Sequence, residues 1–409
     1  MARKMKDSGI EWIGEIPEDW KILSLKHLCN MQAGKNLNSE QISIDGEFPV
    51  YGGNGLRGYY HTFNCEGLKI LVGRQGALCG NVHKVDGKYW ATEHAIITEH
   101  TDLCDANFLS YLLIGMNLNQ YVTSTAAQPG LAVSTIQNIK TCIPKTDEQI
   151  RIASFLDNKC ARIDSILNKT RTSIEEYKKL KQSIINQAVT KGIRPNRKMK
   201  DSGIEWIGEI PKEWDSMNPK ALFTQRKDRA KNGERQLTAS QQFGVIYQDE
   251  YMERTGTKVV TVEKDFDILK HVEMGDFVIS MRSFQGGLEY SEYTGSISSA
   301  YVMLIPNVEL VFPHYYKWLL KSSVYINALQ STSNMVRDGQ AMRYSNFAQV
   351  RLFMVPLEEQ KEIANYLDVK ISKINTLISK KEQLLTELEN YKKSLIFEYV
   401  TGKKEVSVA

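Results

Sequence analysis

Side chains with chemical reach are spread through this 409-residue sequence without forming a familiar catalytic pattern. The phosphate-cradling run G-x-x-x-x-G-K-[ST] is absent, and so is the Asn/Asp-Pro-Pro-aromatic run of a methyl-transfer site. Asp86-Gly87-Lys88 has the letters of a nuclease D-x-K, a triplet frequent by chance. Cys79 and His83 with His94 and Cys104 could be imagined around zinc, yet their spacing matches no common finger or ribbon. All six cysteines lie in the first half with no Cys-x-x-Cys pair, so they read as reduced, mostly buried thiols. What remains is polar and basic chemistry, most dense in RKDRAKNGER from Arg226 to Arg235, which suits either a solvated face or phosphate contact. The balance of 52 Lys and Arg against 48 Asp and Glu, net +4, is compatible with nucleic acid but equally common in cytoplasmic enzymes. No apolar signal region opens the chain and no run of 18 apolar residues occurs, so a cytoplasmic location is expected.

The elements that would position these groups are written twice. RKMKDSGIEWIGEIP at Arg3 to Pro17 recurs letter for letter at Arg197 to Pro211, and Trp20 and Trp214 keep that register. A second match, at a different offset, sets EQIRIASFLD from Glu148 against EQKEIANYLD from Glu359. The second copy therefore carries 17 extra residues between its shared ends. Between those ends the middles are dissimilar runs of short β-type segments with Gly-rich turns, each expected to be a compact α/β module.

After each module the period becomes helical. In the first copy Ala153, Cys160, Leu167, Ile174, Lys181 and Ala188 take heptad position a, and Leu156, Ile163, Thr170, Tyr177 and Ile184 take d. In the second, Ala364, Ile371, Ile378, Leu385, Lys392 and Tyr399 take a, with Leu367, Ile374, Lys381, Leu388 and Leu395 at d. Position g is also often apolar (Ile152, Ile166, Leu180; Ile363, Leu377, Leu384, Tyr391), wider than a two-stranded seam needs. That excess suits packing on the chain's own modules or on a partner helix. The expected architecture is α/β (α+β): modules at 1–145 and 192–356, long helices at 146–191 and 357–402 paired as an antiparallel coiled coil, and a tail at 403–409. A helix from Ala153 to Ala188 is about 54 Å long, enough to hold two readers roughly one DNA turn, about 34 Å, apart.

The whole chain resembles the specificity subunits of type I restriction-modification systems. The openings GIEWIGEIPEDW and GIEWIGEIPKEW resemble that family's domain starts, YGGNGLRGYY with ILVGRQGALCGNV and YWATEHA one of its recognition patterns, and EQ-x-x-IA-x-x-LD its helix starts. The resemblance implies two target-recognition domains reading the halves of an asymmetric, interrupted DNA site. It implies partners: two adenine-N6 methyltransferase subunits using S-adenosylmethionine, and motor-nuclease subunits using ATP and Mg. No catalytic residue, metal or cofactor is expected in this chain itself. A stand-alone pseudo-dimeric DNA-binding regulator or scaffold is the alternative, and a fragment of a fused restriction enzyme a third reading that the full repeat disfavours.

Base readout needs Arg, Lys, Asn or Gln at base edges, and basic groups or turn amides on phosphates. The candidates are Asn54, Arg57, Arg74, Gln75, Lys84, Lys88 and Gln128 in the first module. In the second they are Arg226, Lys227, Arg229, Arg282, Ser283, Gln285, Asn334, Arg337 and Arg343. Arg74 and Arg282 each follow an apolar strand and shortly precede glycine, which suits a structural ion pair or phosphate contact. Discrimination is then expected in loops such as Lys35 to Asn38, His61 to Asn64, Ser124 to Gln128 and Ser331 to Arg343.

Overall fold

A computed structural model describes residues 3–76, 79–122, 130–262, 268–280, 287–332 and 342–406. The chain forms two compact units: residues 1–171 with 382–409, and residues 172–381. Each unit therefore combines one module with parts of both long helices. These run Thr146–Lys191 and Leu357–Val400, and none of the described helices is long and apolar enough to cross a membrane.

In the first unit the strand Lys69–Gly73 shows why the module is layered. Successive side chains of a strand point to opposite faces. Ile70 and Val72 join the larger core with Phe108, Leu109, Leu112 and Leu113 of the helix Ala106–Gly115, while Leu71 turns to a smaller core with Tyr89, Ala91 and Ile97. Being buried on both faces, this run reads as continuously apolar. Its sheet is antiparallel, in the order Cys29–Ala33, Ala95–His100, Lys69–Gly73, Val82–Val85. A second sheet orders Gly55–Tyr60, Phe48–Gly52, Lys88–Ala91 and Cys65–Glu66, with one parallel pairing that sets Trp90 opposite Val50.

The second unit repeats the logic with other letters. Its sheet orders Phe223–Arg226, Val302–Pro306, Phe277–Ile279 and Glu289–Tyr290. Phe223, Phe277, Ile279 and Leu304 face the larger core with the helices Pro313–Leu319 and Ser323–Ser331, and Val278 and Met303 face a smaller one with Leu237, Val245, Val272 and Ile297.

Each larger core closes on the long helices. Leu156, Ile163, Leu167, Ile174, Leu367, Ile371, Ile374 and Leu395 are buried, and Tyr177, Ile184, Ile378, Leu385 and Leu388 are partly buried against the same cores. The helix segments run antiparallel within each unit. In the first, Lys392 Nζ donates to Asp164 (2.6 Å) and Arg171 to Glu389 (2.7 Å); in the second, Lys181 donates to Asn375 (2.9 Å) and Arg194 to Glu362 (2.8 Å). The apolar g positions divide. Ile152 and Ile363 are buried, while Ile166, Leu180, Leu377, Leu384 and Tyr391 remain exposed.

The duplicated letters build one clamp in both units. Arg3 donates to Glu148 (2.6 Å) and Asp19 (2.9 Å), Trp20 Nε1–H donates to Glu148 (3.3 Å), and the Arg3 guanidinium lies over the Trp20 ring. Arg197, Glu359, Glu213 and Trp214 repeat this pattern, with Trp214 Nε1–H 3.1 Å from Glu359. The next residue is a second anchor. The Gln149 amide accepts from Asp105 N–H (2.8 Å) and donates to the carbonyls of Leu103 and Pro144, just as Gln360 accepts from Phe312 N–H (2.7 Å) and donates to Leu310 and Val355. These side chains satisfy loop backbone groups that burial would otherwise leave unpaired.

Candidate nucleic-acid interface

The hairpin Phe48–Gly52/Gly55–Tyr60 turns through Gly53-Asn54, and its tip leans against the segment that follows Lys88–Ala91. The approach is too close for a side chain. A Cβ on Gly53 would lie 2.9 Å from the His94 carbonyl, and Gly55 adopts φ +95°, in the left-handed region. The result is a cleft of about 360 Å³ lined by Gly53, Asn54, Gly55, Leu56, Arg57, Gln75 and His94. Three of the residues chosen for base-reading chemistry, Asn54, Arg57 and Gln75, thus converge from two separate stretches of sequence.

The cleft is polar and internally braced. Asn54 Oδ1 accepts from Asn81 Nδ2 (3.4 Å), and Arg57 is exposed, its stem crossing Gly52 beside Thr92. Arg74 is half-buried; its N–H donates to His94 O (2.8 Å), its carbonyl accepts from Leu131 N–H and Cys79 Sγ, and its guanidinium makes no ion pair among the described residues. Gln75 pairs with Gly130 in an isolated bridge, beside the stretch 123–129 that includes Gln128 and lies outside the described residues. His83 packs against Gly55, and burial holds its imidazole below the usual range.

Two candidates stand apart from the cleft. Lys84 donates to Asn107 (2.8 Å), and Lys88 sits over the Phe63 ring and 3.9 Å from Glu66. The triplet at Asp86 is a turn, with Asp86 Oδ1 accepting from Gly87 N–H.

In the second unit the basic run resolves into separate parts. Arg226, 9 % exposed, is corrected from a reading residue to a structural one. It donates to Asp276 (2.6 Å), Asp228 (2.9 Å) and Glu273 (2.8 Å), and the Asp276 bonds raise its pKa further, so its fork is already occupied. Lys227 and Arg229 are exposed. Arg235 pairs with Asp249 (2.6 Å) and stacks on Tyr247. Arg343 is exposed, with its N–H on Asn346 at the start of the short helix Tyr344–Phe347. Arg282, Ser283, Gln285, Asn334 and Arg337 lie outside the described residues.

Residue-type reasoning placed His94 only in an imagined metal set. No group of three or more metal-ligating side chains occurs among the described residues, and all six cysteines are buried free thiols. The signal that could have found His94 is its place in YWATEHA, three residues past the end of a strand that pairs with the hairpin.

Residues 17–176 match the model of the type I restriction modification DNA specificity domain. The EcoprrI specificity subunit of Escherichia coli is 38% identical over 164 residues, covering 39% of each chain, so this match spans about two fifths of that relative. The putative MjaX specificity subunit of Methanocaldococcus jannaschii is 23% identical and aligned over 96% of both chains. The chain is thus similar to specificity subunits of type I restriction enzymes, most strongly over its first module. Its fold is shared along nearly its whole length with a solved chain described under complex assembly and conformational transition of the type I R-M system. That likeness has a TM-score of 0.67 at 14% identity and covers 95% of this chain and 99% of the other. The cleft at Asn54, Arg57 and Gln75 is where the first module brings polar side chains together.

Proposed function

We propose that this chain reads an asymmetric, bipartite DNA site, one part with each unit, for a type I restriction-modification complex, and contributes no catalytic group. The observation that carries the reading is the convergence of Asn54, Arg57 and Gln75 on one cleft, the side-chain types that address base edges and phosphates. Identical clamps around dissimilar modules further support two readers of different sequence.

Docking of two methyltransferase subunits, and through them motor-nuclease subunits, is supported by the helix surfaces. Ile166 and Leu377 are exposed at equivalent repeat positions, as are Leu180 and Tyr391. Exposed apolar side chains at recurring positions suit repeated copies of one partner. S-adenosylmethionine, ATP and Mg belong to those partners in this reading.

The test is domain exchange. Replacing Glu18 to Ile143 with another family member's module, co-producing the chain with its methyltransferase, and mapping methylated adenines by long-read sequencing should change one half-site and keep the other. Simultaneous change of both would overturn the two-reader assignment.

A further inference from the structure

An arginine fork is always charged and can only donate, so what it selects depends on where its flexible stem is held. The first unit holds one such stem in two ways. Along the hairpin Phe48–Gly52/Gly55–Tyr60, Tyr51 pairs with Leu56 and Val50 with Gly58, so Arg57 is the extra residue of a β-bulge, a device that re-aims a side chain. A Cβ on the next residue, Gly58, would lie 2.5 Å from the Ser43 carbonyl, so the bulge closes on that segment only because a glycine stands there.

The second hold is a missing side chain. A Cβ on Gly52 would lie 2.6 Å from Arg57 Cδ and 3.3 Å from its Cγ, so the stem occupies the space that any other residue would fill. Beyond the stem, Arg57 lines the cleft with Asn54 and Gln75, and its guanidinium makes no hydrogen bond or ion pair among the described residues. Arg226, by contrast, has its fork filled by Asp276, Asp228 and Glu273.

We propose that Gly52 and the bulge hold the Arg57 fork at the cleft for two neighbouring acceptors on DNA, guanine N7 with O6 or a pair of phosphate oxygens. Gly52 is then a positioning residue for recognition. This rests on the reading of the cleft as a DNA interface.

Selection of bound duplexes from a randomised library, with binding titrated against salt, tests it on the full chain co-produced with its methyltransferase. Gly52→Ala adds a methyl group whose closest contact is the flexible Arg57 stem, so the chain should fold with the fork displaced. It should lose what Arg57→Ala loses, and the double variant should lose no more than either. Arg57→Met, which keeps a stem across Gly52 but no donor, should match Arg57→Ala and needs no change at the glycine. A guanine preference at one position of the first half-site that falls about tenfold identifies the base edge. Unchanged preferences, with affinity lowered across all sequences and a salt slope lower by about one in Arg57→Ala, identify the phosphate. The second half-site, selected in the same experiment, reports that each variant is folded. If both Arg57 variants alter the first half-site while Gly52→Ala changes nothing, the positioning role is overturned and the interface stands. If no substitution at Arg57 affects base preference or salt slope, the proposal is overturned, and Asn54→Ala and Gln75→Ala in the same selection decide whether the reading of the cleft falls with it.

Discussion

The two units share a clamp and differ in what it encloses. In the first, Arg3 and Glu148 are partly open to water, Glu148 being 16 % exposed, and the module keeps its polar side chains for a cleft. In the second, Glu359 is 2 % exposed, and the module spends an arginine internally: Arg226 sits among Asp276, Asp228 and Glu273, while His271 Nδ1 lies 2.6 Å from Glu234. The same letters thus carry different weights because the module packed over them differs. An unpaired charge left behind by substitution is tolerable where water reaches it and severe where it does not.

Comparative unfolding should separate these weights. Glu359→Ala leaves the largely buried Arg197 with only the exposed Glu213 as partner and should destabilise by about 3–5 kcal/mol, whereas Glu148→Ala, with water close to Arg3, should lose only about 1.5–3 kcal/mol. Equal losses in denaturant titrations would show that burial does not differentiate the clamps. Arg226→Met should resemble Glu359→Ala, about 3–5 kcal/mol, because it leaves Asp276 buried and unpaired.

A smaller and symmetric effect is expected at the second anchor. Gln149→Ala and Gln360→Ala each remove three hydrogen bonds to loop backbone, so each should lose about 2–3 kcal/mol. A difference of more than about 1 kcal/mol between them would mean that the anchors, unlike the clamps, are not equivalent; thermal unfolding of both variants decides this.

Exposed cations of the second unit should behave oppositely to Arg226. Lys227→Ala and Arg229→Ala should change stability by less than about 0.5 kcal/mol. Each should nevertheless lower the salt slope of DNA binding if it meets a phosphate. Titrations of binding against salt that show no change in slope would return both residues to the solvated face.

The least effect is expected from thiol reagents. All six cysteines belong to the first unit, and burial pushes the Cys29 and Cys142 thiols up to about 12, with those of Cys65, Cys79, Cys104 and Cys160 also raised by burial. The thiolate is the reactive form, so iodoacetamide at pH 8 should leave the folded chain unlabelled by mass spectrometry. Labelling in rising denaturant would then report on the first unit alone, separating its unfolding from the second unit's.

Much of the architecture was legible in the letters. The 15-residue duplication and the heptads announced two modules and two long helices, and the apolar a and d residues from Leu156 to Leu395 lie in or against the cores. Periodicity makes this possible: a helix repeats every 3.6 residues whatever it packs on, so its buried stripe is written locally. The surplus stripe at position g was legible too. Its exposure at Ile166, Leu180, Leu377, Leu384 and Tyr391 was not, because whether a module reaches over a helix face depends on the module's bulk rather than on the helix's own letters.

The residue types fit for reading DNA were likewise visible, but their roles were decided by partners distant in sequence. Arg226 reads as one cation in a basic run, and only the fold brings Asp276, 50 residues later, to within 2.6 Å of it. Asn54 and Arg57 lie on one hairpin and Gln75 on the exit of another strand, and a close approach over Gly53 is what joins them to His94. By itself the sequence determined the repeat, the helical seams and the chemical vocabulary of the modules, since each depends on neighbours within a few residues. Only tertiary structure decided which arginine is bound internally, which apolar face stays open and which polar groups meet in one cleft, because these depend on distances between groups that the chain separates by tens of residues.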